Sequence, residues 1–156
     1  MASHFPTARK RHRASEMGIR IKERQACFIH EDSYTVYLPR RNHIAVTVTA
    51  APYVVRSWVY RTRRLHSFRH HKLVVGLRVQ WRPNTGYIPH SRVATLQLCV
   101  DHRCLIFLIL HSRSIPRSLR TFLAYTCATF VGVHNPVDVI YLYCHDPNLG
   151  LLTTLI

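Results

Sequence analysis

The sequence predicts an α/β domain built on one mixed sheet with helices on its faces. Three stretches carry that prediction. Leu73-Val74-Val75-Gly76-Leu77-Arg78-Val79-Gln80-Trp81 is apolar and β-branched, and Arg82-Pro83-Asn84 closes it. It is too short for an ordinary helix and reads as a buried strand. Residues 93–100 and 103–110 flank Asp101-His102 and read as a hairpin. Between Pro52 and Leu65, the apolar residues Val54, Val55, Trp58, Val59 and Leu65 recur with Thr62 at helical spacing. The order is hairpin-rich strands, then helix, strand, helix, strand. That order implies a mixed sheet rather than a purely parallel one.

At 156 residues and 47% hydrophobic content, the chain is long and apolar enough for one domain with a real core. Its charge is one-sided: 22 Lys and Arg stand against 7 Asp and Glu, a formal net charge of +15. No acidic residue lies between Asp32 and Asp101. A long field of one sign favours a polyanionic partner, most simply nucleic acid. A chain that merely drifted basic would show the same balance. The 5 cysteines are odd in number and form no CxxC pair. Neither zinc nor a disulfide framework is expected, Cys99 and Cys104 read as buried free thiols, and a reducing compartment follows. No apolar run reaches membrane-spanning length, so no membrane partner is expected.

In chain order, residues 1–24 read as a basic flexible tail, and residues 25–156 as the domain. The tail holds Arg9-Lys10-Arg11-His12-Arg13, a cluster of the nuclear-import kind. Up to Ala14 it also lacks acids, as organelle-transit segments do, and a plain solvated tail explains the same residues. Nucleus or cytoplasm is the expected location, with organelle import left open. Residues 27–29, 34–38 and 44–49 are β-prone. Turn chemistry at Glu31-Asp32-Ser33 and Pro39-Arg40-Arg41-Asn42 separates them. They predict a small antiparallel extension in front of the main sheet.

Pro52 suits a first helical turn. Arg56, Arg61, Arg63 and Arg64 lie mostly off the helix's apolar face, as solvated arginines do. Arg69-His70-His71-Lys72 carries the basic patch on to the mouth of the buried strand. Arg61, Arg64, Arg69, Lys72 and Arg82 are therefore the expected nucleic-acid contacts. His70 and His71 are adjacent, so they point to opposite sides of a strand entry and do not suggest a metal site. Residues 82–92 form a loop. Residues 115–125 read as a helix, with Ser114 at its N-cap and Pro116 in its first turn. Residues 129–133 read as a short buried strand, 137–144 as a helix and 151–156 as β-like.

Three of these segments, in this order, resemble the plant Werner syndrome-type 3′–5′ exonuclease domain, of the RNase H-like, four-carboxylate (DEDD) superfamily. They are Leu73 to Asn84, then Val93 to Val100 with Cys104 to Phe107, then Phe130-Val131-Gly132-Val133 followed by Asp138 and Leu142. The resemblance spans roughly residues 52–156. It implies an RNase H-like mixed sheet, three antiparallel strands and then parallel strands, flanked by helices. It also implies removal of nucleotides from a 3′ end by divalent metals held on carboxylates. The family's first strand runs roughly Val-Gly-Leu-Asp-Val-Glu-Trp, and its Asp and Glu bind metal. Here those positions are Arg78 and Gln80. The second motif keeps Asp138, the expected sole catalytic-motif carboxylate, and the family's Lys three residues later is Tyr141. The third motif is expected downstream of Ile156, so the domain is expected to lack its C-terminal part.

Four readings follow. The first is a family member that binds nucleic acid and has lost catalysis, with no metal or other cofactor. The second is an active exonuclease using Mg2+ or Mn2+. The third is a non-catalytic protein-interaction module, with a protein partner or self-association covering the incomplete fold. The fourth is a decaying gene product. The absence of both first-motif acids favours the first and fourth over the second. In the implied fold Arg78 faces Asp138, and its guanidinium is expected to stand in for the missing cation in a bidentate pair.

Overall fold

The computed structural model describes residues 18–24, 30–39, 42–68, 73–82, 93–124 and 128–132. Its strands are β1 (Arg20–Arg24), β2 (Glu31–Tyr37), β3 (His43–Thr49), β4 (Leu73–Trp81), β5 (Val93–Val100), β6 (Arg103–Phe107) and β7 (Ala128–Val131). Helix α1 is Pro52–Leu65 and α2 is Arg117–Leu123, with a 3-10 turn at Ile109–His111. The strands form one sheet in the order β1-β2-β3-β6-β5-β4-β7. β4, β5 and β6 are antiparallel neighbours, and β7 lies parallel to β4. The expected extension is present as β1, β2 and β3, antiparallel to one another, and it joins the main sheet where β3 runs parallel to β6.

The alternation along β4 separates the two faces of the sheet. Leu73, Val75, Leu77 and Val79 are buried, while Val74, Arg78 and Gln80 are exposed. The buried set continues with Leu96, Leu98 and Val100 on β5 and with Leu105 and Phe107 on β6. Val55, Trp58 and Val59 of α1 and Leu119, Phe122 and Leu123 of α2 close over it. Phe122 sits at the centre, edge-to-face with Trp58 at 6.4 Å and with Phe130 at 6.3 Å between ring centroids. Both helices thus lie on one side, here called the helix face. The other side is the open face.

Thr49 turns the chain from β3 into α1. Its hydroxyl donates to the His30 carbonyl at 2.7 Å and accepts the Ala51 N–H at 3.0 Å. Pro52 occupies the first turn, where its missing N–H costs nothing, and Arg63 and Arg64 fall in the last, where the helix dipole favours cations. The β5–β6 hairpin turns through Asp101 at φ 48°, a left-handed conformation that Asp tolerates better than most residues. The Asp101 carboxylate lies 3.6 Å from His66 Nε2 and so meets the end of α1.

Several expectations need correction. Residues 20–24, expected to belong to a flexible tail, form a strand paired with β2. Its sequence, Arg-Ile-Lys-Glu-Arg, has no apolar alternation, so pairing with β2 makes the strand. Glu31-Asp32-Ser33 is the start of β2 rather than a turn, in register with Thr49, Val48 and Thr47. β6 stops at Phe107: the Leu108 N–H makes the last bond to β3, at the Thr49 carbonyl (2.8 Å), and the 3-10 turn at Ile109–His111 follows. Pro116, not Ser114, is the cap of α2, which ends at Leu123. β7 runs from Ala128 to Val131 rather than over 129–133.

Cys99 and Cys104 are joined in a disulfide rather than held as free thiols. They are directly opposite in the β5–β6 ladder, with Cα atoms 4.2 Å apart, so one face of the hairpin brings the sulfurs together. A linked pair does not call for a reducing compartment. The predicted elements at 27–29, 137–144 and 151–156, the loop at 83–92, and His70 and His71 lie outside the described residues.

Candidate functional site

The open face carries the positions where the resemblance placed metal-binding carboxylates. β4's alternation, which buries Leu77 and Val79, turns Arg78 and Gln80 outward together. Arg78 is in register with Gln97 and Gln80 with Thr95. The Thr95 hydroxyl donates to Gln80 Oε1 at 3.1 Å. Arg82, also exposed, follows the end of the strand.

A hard divalent cation takes oxygen ligands, chiefly carboxylates. Gln80 offers one neutral oxygen, already engaged by Thr95. Arg78 places a guanidinium cation there, which repels a metal ion. Among the described residues, no three of His, Cys, Asp and Glu cluster in a way that could hold a metal ion. The residues at the first-motif positions therefore do not fit magnesium or manganese. Asp138 lies outside the described residues, and so does the expected Arg78–Asp138 pair. Arg69 and Lys72 of the expected basic set lie outside them too.

Arg61 and Arg64 are on the other side of the molecule. They line a groove of about 680 Å³ on the helix face, between the C-terminal half of α1 and strands β1, β2, β3 and β6. Arg24 and Arg103 complete a set of four guanidinium groups, against one lining carboxylate, Glu31. Thr47 Oγ1 donates to Glu31 Oε1 at 3.4 Å. The Arg103 guanidinium lies over the Trp58 ring, 5.8 Å from its centroid. Burial, and after it the charge of Arg61, holds the Arg103 pKa below its usual value. Phe68, fully exposed, and Leu65, 65% exposed, stand at the rim.

Of the basic residues expected to act together, Arg61 and Arg64 share the groove, while Arg82 lies at the end of β4. Sequence reasoning missed Arg24 and Arg103. Arg24 reaches the groove only through the pairing of β1 with β2, which no apolar alternation in β1 announces. Nothing local signals Arg103, which reaches the groove only through the β3–β6 pairing.

No protein-family model matches the chain. Over 80 residues it is 39% identical to a 3′–5′ exonuclease of Arabidopsis thaliana, an overlap of 49% of this chain and 27% of that protein. Among solved structures, the EXD2 exonuclease domain superposes with a TM-score of 0.58 at 18% identity, over 71% of this chain and 55% of that one. The same domain soaked in Mg and GMP gives 0.57 at 19% identity, over 71% of this chain and 54% of that one. The Aedes aegypti Nibbler EXO domain gives 0.51 at 10% identity, over 70% and 50% respectively. The chain therefore spans about a quarter of the length of the plant relative and about half of the solved domains. The mixed sheet with its two helices is the RNase H-like fold of these exonuclease domains.

Proposed function

We propose that this chain is a 3′–5′ exonuclease-domain protein of the plant Werner type that binds nucleic acid and has lost metal-dependent catalysis. One observation carries the reading: Arg78 and Gln80 stand side by side on the open face, where the implied first motif needs two carboxylates. A guanidinium there repels a metal ion and cannot take a proton from water or hold it for attack on a phosphodiester. What such a chain retains is a basic frame. Residues 33–100 contain no acid, and binding through that span is mainly charge neutralisation of phosphates.

The test joins two assays on the same purified protein. A single-stranded oligonucleotide labelled at one end reports both anisotropy and nucleotide release, with and without magnesium or manganese. Binding is expected without release, and log affinity should fall steeply with log salt. Metal-dependent release that Asp138→Ala abolishes would overturn the catalytic part of the reading. Failure to bind at low salt would overturn the rest.

A further inference from the structure

We infer that the groove between α1 and the β1–β3 extension is the nucleic-acid-binding track, holding the phosphates of a single strand on Arg24, Arg61, Arg64 and Arg103. The inference rests on the reading of the chain as a nucleic-acid-binding protein. It moves the contact surface to the face of the sheet opposite Arg78 and Gln80.

Three features of the groove support it. The first is the sorting of charge on the N-terminal strands. Pairing of β1 with β2 and of β2 with β3 puts Arg20, Lys22 and Arg24 on the groove side with the single acid Glu31, and Glu23 and Asp32 on the open side. Tyr34 records the second half of this sorting. Its phenol pKa is raised by burial first, then by the carboxylates of Asp32 and Glu23. The three groove-side cations of β1 repeat about every 6.8 Å along an antiparallel strand, a step comparable to that between successive phosphates of an extended single strand.

The second feature is a cation held without a carboxylate. Arg103 is half-buried, packed on Trp58 and facing Arg61. Among the described residues no ion pair joins Arg24, Arg61, Arg64 or Arg103 to an acid. Two like charges held together in a partly dry site lower their mutual repulsion when an anion enters. The third feature is Phe68, an exposed aromatic ring at the groove's rim. Single-strand binding sites combine a basic groove with aromatic faces on which bases stack. An acidic protein segment would use the arginines in the same way; the ring adds a face on which a base stacks.

The experiment measures anisotropy of a labelled oligothymidylate across a salt series, on the full chain and on four variants. Arg61→Glu/Arg64→Glu should weaken binding at least tenfold and flatten the slope of log affinity on log salt by about 1.4, two contacts at about 0.7 each for a single strand. Arg61→Lys/Arg64→Lys should keep the slope. Phe68→Ala should weaken binding about fivefold or more with the slope unchanged. Arg78→Glu, on the other face, should bind as the unaltered protein does. Circular dichroism melts show that each variant is folded. If Arg78→Glu lowers affinity and the groove variants do not, the track is on the open face: this inference fails while nucleic-acid binding stands. Displacement of the oligonucleotide by polyglutamate as readily as by unlabelled oligonucleotide also overturns it, in favour of an acidic protein partner. No binding by the unaltered chain at low salt overturns both readings.

Discussion

Placing two acids at positions 78 and 80, where the proposed family has its first-motif carboxylates, tests whether β4 presents a metal-binding frame. The double variant Arg78→Asp/Gln80→Glu changes two exposed side chains on one face of one strand, so the core is left alone. Local charge falls by three units, one for Gln80 and two for Arg78. Alternate residues on a strand share a face, and the two new carboxylates would lie about 6–7 Å apart at their Cα atoms, close enough to share one ion. Two carboxylates without a full cage give a weak site, with Kd on the order of 1 mM, as in the weakest calcium modules. At about 10 mM metal, binding of that strength stabilises the folded state by RT ln 11, about 1.4 kcal/mol. For a domain of this size that is a rise in Tm of roughly 3–6 °C. The assay is thermal denaturation with and without magnesium or manganese, with matched ionic strength set by sodium. The unaltered chain should show no rise beyond the sodium control. An equal rise in the unaltered chain would mean that Arg78 does not block the site. No rise in the variant would mean that the open face of β4 is not the frame it is taken to be.

Three further outcomes follow from the packing. Phe122→Ala removes a ring that is 1% exposed and edge-to-face with both Trp58 and Phe130; urea denaturation should show a loss of about 3–5 kcal/mol. Cys99→Ala/Cys104→Ala opens a link that spans a sequence separation of only 5. By the chain-entropy relation such a short loop contributes about 2 kcal/mol, and a loss well above that would mean the link also supports native packing. Gly132→Ala would put a Cβ 3.0 Å from the Leu77 carbonyl oxygen, which is backbone and cannot swing aside. A loss of about 1–3 kcal/mol is expected, and an unchanged Tm would show that the end of β7 shifts freely.

The elements legible in the sequence are those whose own periodicity decides them. α1 and β4 have the limits read from the pattern, because a 3.6-residue stripe and a bounded apolar run each bury a face without help from elsewhere. The β5–β6 hairpin is equally local. β1 was illegible because none of its five residues is buried; it is a strand only by pairing with β2. The start of β2 is hidden for the same reason, since Glu31, Asp32 and Ser33 are turn-formers until β3 gives them partners. The disulfide follows from register across a turn, which cysteine counting does not see. The positions of Arg78 and Gln80 could be read from alternation along one strand. The groove could not, because its walls come from β1, β2, β3, α1 and β6, and only the parallel contact of β3 with β6 assembles them.

The place of β1 at one end of the strand order has a consequence for how this chain meets copies of itself. A sheet edge offers unpaired N–H and C=O groups to any strand that comes alongside. A second copy docking antiparallel about Lys22 would set Lys22 against Lys22 and Arg20 against Arg24 on either side. An in-register parallel copy would set each of these cations against its own twin. Like charges directly opposite on neighbouring strands are destabilising, and all five residues of β1 are exposed. Both simple ways of extending the sheet at this edge therefore stack cation on cation, so the strand that ends the sheet among the described residues disfavours addition of a second copy.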